Sequence, residues 1–270
     1  FNSFCNASRI AWVRVGYIRY LAVSGALLLR RQELPRGTFV VGAPPQGRTR
    51  YVVSHGWATE NHPSPTGSRV AQLAVALDQA GATDDELVFM DFPSLFQKAR
   101  SMPPGVAPQR ERTPWEKKLF GIALWEMSRM YAFRGCKVIV LPQVETLPAG
   151  SDIEYKYSEV KGRDCPWSAT WGWVNTVPYA NRGWCAAEFA CARKAGIIAN
   201  MDDPGVVEVL NSRRGSGGWP ETVEDYQKMM EDESIEFTSK GDRDHVAYIF
   251  FKMSFDLREA VAREQQGSQP

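Results

Sequence analysis

Three short apolar runs alternate along the chain with segments of helical periodicity, and this alternation restricts the possible folds more than any other feature. The runs are residues 50–54, 86–92 and 136–141. Apolar residues recur every three or four positions over residues 68–80 and from residue 114 to about 133, which predicts two helices. Strands that alternate with helices form right-handed crossovers in a parallel sheet. The sequence therefore predicts an α/β fold with a central parallel sheet.

Capping residues mark the ends of these predicted helices. Gly81 follows the first helix, at the position where a left-handed residue commonly ends a helix. Thr113, Pro114 and Glu116 form the pattern of a capping box with proline at the first helical position. Gly135 follows the second helix, just before the third apolar run. We therefore expect the helix boundaries close to these residues.

The composition is that of a globular protein and argues against several classes of function. The chain has 270 residues, of which 44% are hydrophobic and 23% charged, and its formal net charge is +1. Such a charge gives no bulk attraction to nucleic acid or to an acidic membrane. No GxGxxG follows a strand and no GxxxxGK(S/T) occurs, so neither a Rossmann dehydrogenase nor a P-loop NTPase is expected.

The cysteines and histidines indicate reduced thiols, and they do not suggest a disulfide framework or a zinc site. The chain has five cysteines without any CxxC pair, and three histidines. Free thiols are typical of a reducing compartment, so we expect a cytoplasmic location. We expect neither a metal ion nor a resident cofactor.

One main domain is expected between two short terminal segments. Residues 1–35 are predicted to form an N-terminal helix and linker, residues 36–265 the α/β domain, and residues 266–270 a tail. The apolar stretch at residues 10–29 carries two arginines and has no uncharged run long enough to span a bilayer. We interpret it as a docked amphipathic helix, with a trimmed signal anchor as the alternative.

A long segment within the domain, residues 143–181, shows little periodicity. It contains Trp167, Trp171 and Trp173, and Trp184 follows closely. Irregular segments of this length are usually functional or disordered. Because its aromatic content favours order, we interpret it as an insertion that forms a lid or a binding surface. Elsewhere the pattern predicts helices at residues 185–195, 226–230 and 242–263 and a strand at 234–238.

Polar residues follow the first predicted strand, at the edge where parallel sheets bind ligands. These residues are Ser54, His55, Gly56 and Trp57. A small residue and a glycine let a ligand approach the backbone, and a tryptophan can stack on a ring. The alternative interpretation is a tight turn with a packed tryptophan.

The end of the second predicted strand also carries polar residues. Asp91 is followed by Ser94 and Gln97. A carboxylate in this position faces the ligand crevice of a parallel sheet. The alternative is an aspartate that caps its own loop.

A third candidate site lies at the start of the helix predicted from residue 185. Glu188 follows Trp184 by one helical turn, so the carboxylate and the indole are expected on one face. Alanine and phenylalanine residues surround Glu188, and such an environment raises the pKa of a carboxyl group unless it has partners. The alternatives are a buried salt bridge between Glu188 and Arg182, and a Cys185 nucleophile paired with His55.

The order of these motifs resembles the TIR-like superfamily, in particular its branch related to fungal heterokaryon-incompatibility domains. The motifs are Tyr51-Val52-Val53-Ser54-His55-Gly56-Trp57, Asp91-Phe92-Pro93-Ser94-Leu95-Phe96-Gln97, a helix end Met127-Ser128-Arg129-Met130-Tyr131, Val138-Ile139-Val140-Leu141 and Tyr179-Ala180-Asn181-Arg182-Gly183-Trp184-Cys185-Ala186-Ala187-Glu188. The last of them contains a sequence similar to the W-C-x-x-E box of TIR domains. The resemblance covers roughly residues 48–195.

The resemblance implies a flavodoxin-like three-layer fold and, in active members, cleavage of the bond between nicotinamide and ribose in NAD+. It assigns the catalytic role to Glu188. The crevice residues that it implies are Ser54, His55, Gly56, Trp57, Asp91, Ser94, Arg182 and Trp184. It further implies that NAD+ is the substrate, that the chain forms homo-oligomers on activation, and that it acts in defence, cell death or stress signalling.

Two other functions remain open. TIR-like modules can signal by self-association without catalysis, and another nucleotide-processing enzyme can use the same crevice. The insertion at residues 143–181 is also much longer than the corresponding segment of a typical TIR domain.

Overall fold

A five-stranded sheet forms the centre of the structure, a computed structural model that describes residues 1–100, 109–147, 151–159, 161–214, 217–237, 242–244, 246 and 248. The strands are β1 (Ala11–Arg14), β2 (Phe39–Val41), β3 (Arg50–His55), β4 (Leu87–Phe89) and β5 (Lys137–Leu141). Their order across the sheet is β2-β1-β4-β3-β5.

The three strands predicted from the sequence are present and parallel. In the middle strand, β3, Val52 lies opposite Phe89 on one side and Val138 on the other. A later residue, Ile198, forms a parallel bridge with Val138 on the far side of β5. The whole sheet is nevertheless mixed, because β1 is antiparallel to both β2 and β4. The expectation of a parallel sheet is therefore correct for β3, β4 and β5 and wrong for the two N-terminal strands.

The N-terminal region belongs to the sheet, which corrects the prediction of a helix and linker over residues 1–35. It forms α1 (Asn2–Ser8), β1 and α2 (Val15–Ser24). Trp12 and Val13 are fully buried and contribute to hydrophobic clusters on opposite faces of the sheet. A strand covered on both faces is apolar throughout, so its sequence does not differ in pattern from a buried helix.

Helices cover both faces of the sheet. On one face, α2 packs against α3 (Ser68–Gln79), which agrees with the helix predicted at residues 68–80. On the other face lie α1, α5 (Pro114–Glu126) and α6 (Gly183–Ala195). The capping box of α5 is confirmed, since the Thr113 side chain accepts from the Glu116 amide and Glu116 accepts from the Thr113 amide.

Two elements are shorter than predicted. After Glu126, the expected helix continues only as a 3₁₀ turn at Met127–Tyr131. The second strand stops at Phe89, and a one-turn helix, α4 (Asp91–Ser94), follows it. Asp91 therefore lies in a helical turn directly beyond the strand.

The predicted insertion contains a second sheet and is not irregular. Its antiparallel strands are β6 (Ile153–Ser158), β7 (Arg163–Ser168) and β8 (Gly172–Trp173). Backbone bonds from Glu60 to Trp173 and from Asn61 to Trp171 attach this sheet to the loop after β3. The backbone carbonyls of Trp171 and Trp173 therefore hold the insertion in place.

The described C-terminal residues include the short helices α7 (Pro204–Asn211) and α8 (Val223–Glu231). The first was not predicted, and the second includes the predicted helix at residues 226–230. Of the predicted strand at 234–238, the structure describes a single parallel bridge between Glu236 and Arg182. The predicted helix at 242–263 lies largely, and the tail at 266–270 entirely, outside the described residues. Over the described part of the chain, no helix has the length and apolar character needed to cross a membrane.

Candidate functional site

Glu188 lies where the carboxyl end of β3 meets the first turns of α6. The Ser54 hydroxyl donates a hydrogen bond of 2.6 Å to Glu188 Oε2. The Ser54 oxygen is also 2.6 Å from the hydroxyl of Tyr179, which is buried in the 3₁₀ turn before α6. Burial raises the pKa of Tyr179 well above its ordinary value, so its hydroxyl stays protonated. The arrangement is therefore a chain in which Tyr179 donates to Ser54 and Ser54 donates to Glu188.

The pKa of Glu188 is raised to about 8, mainly because burial removes water from the carboxylate. The negative charge of Asp91 raises it further, whereas the neighbouring hydroxyl groups of Ser54 and Tyr131 lower it. The residue as a whole is half-buried and lines a cavity. A carboxyl group whose pKa lies near neutrality is typical of catalytic sites.

A small cavity opens beside this carboxyl group, between α6 and the 3₁₀ turn after α5. Its lining residues are Met127, Ser128, Tyr131, Trp184, Ala187, Glu188 and Cys191. Trp184 and Glu188 therefore share one helix face, as the spacing predicts. The space inside it is about 10 Å³, enough for roughly one water molecule. An aromatic ring could enter only if the lining side chains moved apart.

A second polar cluster, formed by His55, Trp57 and Asp91, lies next to the first. His55 Nε2 is 3.1 Å from Asp91 Oδ1, and Trp57 Nε1 donates to Asp91 Oδ2 at 2.7 Å. Side chains alternate along a strand, so Ser54 points to the face with α6 and His55 to the face with α3. The structure thus divides the predicted crevice residues between two clusters on either side of β3.

Asp91 connects these clusters electrostatically and also holds its own turn. Its carboxylate accepts from the Phe92 amide, and its charge contributes to the raised pKa of Glu188. Ser94 is fully buried, and its hydroxyl accepts from the Met90 amide within the same turn. Gln97 donates to the Asp91 carbonyl. Ser94 and Gln97 therefore stabilise the turn that presents Asp91.

Arg182 is 7% exposed and holds the loop after β3 in place. Its guanidinium donates to the carbonyls of Trp57 and Val177, each at 2.7 Å. A Cβ atom on Gly56 would overlap this guanidinium, so the glycine leaves the space that Arg182 crosses. Among the described residues no ion pair joins Arg182 to Glu188, and the salt bridge considered above is not formed.

Cys185 lacks the environment of a nucleophile. It is buried, and burial raises the pKa of its thiol to about 12, so the thiolate is essentially unpopulated at neutral pH. The nearby charge of Glu188 acts in the same direction. All five cysteines are buried free thiols.

Several residues that support the site gave no recognisable signal in the sequence. Arg69 is 1% exposed and donates to the Leu141 carbonyl at 2.9 Å and to the Gly56 carbonyl at 3.3 Å. It therefore binds the ends of β5 and β3 together. Tyr131 and Tyr179 lie in runs that carry the resemblance described above, but neither was predicted to lie beside Glu188, because a tyrosine in an apolar segment predicts only burial.

Comparisons with protein-family models, curated proteins and solved structures found no match. Over the described residues, no group of three or more His, Cys, Asp or Glu side chains is placed to hold a metal ion.

Proposed function

We propose that the chain is a TIR-like domain that cleaves NAD+ between nicotinamide and ribose, with Glu188 as the catalytic residue. The observation that carries the proposal is the desolvated Glu188 carboxyl group, which Ser54 holds at 2.6 Å beside a small apolar cavity that Trp184 lines. The reaction needs one carboxylate next to a pocket for a flat neutral leaving group, and this cavity must widen to admit that ring.

The order of the parallel strands supports a flavodoxin-like fold within this proposal. Across the sheet, the parallel elements lie in the order β4, β3, β5 and then Ile198. Numbered by their order along the chain, they read 2-1-3-4. This corresponds to the 2-1-3-4 part of a flavodoxin-like sheet, whose ligands bind where the strand order reverses. Ser54 lies at the carboxyl end of β3, on that side of the sheet.

The proposed reaction consumes NAD+ and water and yields nicotinamide, ADP-ribose and a proton. The glycosidic bond breaks with its electron pair going to the pyridinium nitrogen, so nicotinamide leaves as a neutral molecule. The ribose carbon becomes positively charged, and the Glu188 carboxylate stabilises that charge before water attacks. Trp184 packs against the departing ring in the apolar cavity, and Ser54 keeps Glu188 oriented towards the ribose.

The cavity volume also supports a second candidate, a TIR-like module that signals by self-association without catalysis. In this conformation the cavity holds about one water molecule and no part of a dinucleotide. In the enzymatic proposal, the lining side chains move to admit the nicotinamide ring, and the adenosine half lies outside the cavity. Another nucleotide-processing enzyme remains the third candidate. Five buried free thiols support a cytoplasmic location for any of these functions.

The test is nicotinamide release from NAD+ by the purified full chain at high protein concentration. Glu188→Gln keeps the shape of the side chain and should reduce turnover by at least about a hundredfold, the effect typical of a group that stabilises transition-state charge. Glu208→Gln, on the exposed face of α7, is the matched control and should retain full activity. If Glu188→Gln and the parent chain release nicotinamide equally, Glu188 is not catalytic. If the parent neither releases nicotinamide nor binds NAD+, the scaffold is the better description.

A further inference from the structure

The strand β6 lies at the edge of the second sheet, and its aromatic side chains are unusually exposed. Within the part of the chain that the structure describes, it has a neighbour on one side only, in the order β6-β7-β8. The exposed fractions are 74% for Tyr155 and 64% for Tyr157, and Ile153 on the same face is 39% exposed. Proteins rarely leave such an edge uncovered, because its backbone groups can pair with another strand. We therefore expect another strand to pair with this edge.

The pairing of β6 with β7 determines which backbone groups of β6 point towards the open edge. Tyr155 lies opposite Pro166 in β7, and the Pro166 carbonyl accepts from the Val174 amide on the β8 side. Pro166 thus directs its backbone away from β6. Residues opposite each other in a pair without mutual hydrogen bonds both face outward, so Tyr155 presents its N–H and C=O at the free edge. By the period of two, Tyr157 does the same, and Ile153 presents its carbonyl, while the Ile153 amide donates to the Ser151 carbonyl at 2.8 Å.

The sequence of this edge complements itself when it is reversed. In an antiparallel pair with a two-fold axis at Tyr155, Glu154 of each chain lies opposite Lys156 of the other, and Ile153 lies opposite Tyr157. Two ion pairs would form on one face and an aromatic and aliphatic cluster on the other. A lone lysine on an edge would repel a second copy, whereas the glutamate two residues earlier removes that repulsion.

We propose that β6 pairs with β6 of a second copy of this chain, antiparallel and with the two-fold axis at Tyr155. The two three-stranded sheets then form one six-stranded sheet, as in other isologous contacts. Lys156 is already 3.3 Å from Glu154 within the chain and lies over the Trp167 ring, so this face is ordered before pairing. The contact is small, and its dissociation constant is expected on the order of 10–100 μM. The inference does not depend on the chemistry at Glu188.

Disulfide formation tests the position of the axis. In the full-length Tyr155→Cys variant, the two introduced thiols face each other at a Cα separation of about 5.5 Å, which a disulfide spans. In Tyr157→Cys, the matched control on the same face, the thiols are separated by four residue steps, roughly 14 Å, and should not link. A mixture of Ile153→Cys and Tyr157→Cys chains should link, although neither variant links alone. The five native thiols are buried, so the parent chain gives the background.

Charge reversal tests the ion pairs by sedimentation of the full chain. In Lys156→Glu, Glu154 of each chain faces a glutamate at position 156 of the other chain. The two repulsive pairs should raise the dissociation constant about tenfold or more. The swapped variant Glu154→Lys/Lys156→Glu retains the pair within the chain and restores the pairing between chains, so it should recover the parent affinity. Efficient linking of Tyr157→Cys in place of Tyr155→Cys would overturn the register. A parent chain that stays monomeric at about 0.5 mM would overturn the proposal itself.

Discussion

Replacing Glu188 by glutamine should stabilise the protein at alkaline pH, although it removes the proposed catalytic group. The pKa of Glu188 is raised from 4.5 to about 8. Below pH 4.5 the carboxyl group is protonated in both the folded and the unfolded chain, so it does not make the unfolding free energy depend on pH. Between pH 4.5 and 8 the unfolded chain loses this proton while the folded chain keeps it. Stability therefore falls by about 1.4 kcal/mol per pH unit over this window and becomes constant above it.

The full effect of this linkage is about 5 kcal/mol, from the interval between pH 4.5 and 8. That figure is an upper limit, because Glu188 is half-buried and retains some contact with water. Glutamine does not titrate but keeps an acceptor for Ser54, so it should show none of this decline. The quantity to follow is the difference in unfolding free energy between Glu188→Gln and the parent chain. It should grow by roughly 2–4 kcal/mol between about pH 5 and pH 8 and then level off.

Urea unfolding followed by circular dichroism, at one-unit pH intervals, measures this difference directly. The remaining titratable groups are the same in both chains, so the contributions that do not depend on the charge of Glu188 cancel. Glu208→Gln, on an exposed helix face, serves as the control and should differ from the parent by a constant amount. Parallel stability curves for the parent chain and Glu188→Gln between pH 5 and 8 would refute the burial of a protonated Glu188.

Two further predictions follow from the same contacts. If Glu188 must be ionised for NAD+ cleavage, kcat/KM should rise with pH to a plateau, with its midpoint near 8. Asp91→Asn removes a nearby negative charge and should move that midpoint to lower pH. An unchanged midpoint would contradict the coupling between Asp91 and Glu188. Gly56→Ala should destabilise the chain by about 2–3 kcal/mol in urea unfolding, because its Cβ would displace the Arg182 guanidinium from two carbonyls. Gly121→Ala, in the open face of α5, is the matched glycine control and should raise stability by up to about 1 kcal/mol; equal effects of both substitutions would show that the Gly56 contact is unimportant.

Local patterns in the sequence were sufficient to predict the elements whose signals lie within a few residues. The strand β3 and the helices α3 and α5 were predicted because their periodicity and the Thr113 capping box are local. The shared helix face of Trp184 and Glu188 was predictable for the same reason, since helical spacing alone determines it.

Features that depend on residues far apart in the chain could not be obtained in this way. The apolar residues of β1 read equally well as helix or strand, and only pairing with β2 and β4 decides between these states. The division between Ser54 and His55 appears only when β3 has a distinct layer on each face. Whether Arg182 meets Glu188 or the carbonyls of Trp57 and Val177 likewise depended on how the loops pack.

The sequence by itself determined that a carboxyl group would stand beside an indole on one face of α6. Only the tertiary structure decided its chemistry. Ser54, Tyr131 and Asp91, from three separate parts of the chain, set the hydrogen bonds and charge around Glu188, and packing of the 3₁₀ turn against α6 removes water from it. Proton affinity depends on desolvation and on neighbouring charges, and both arise when distant segments meet.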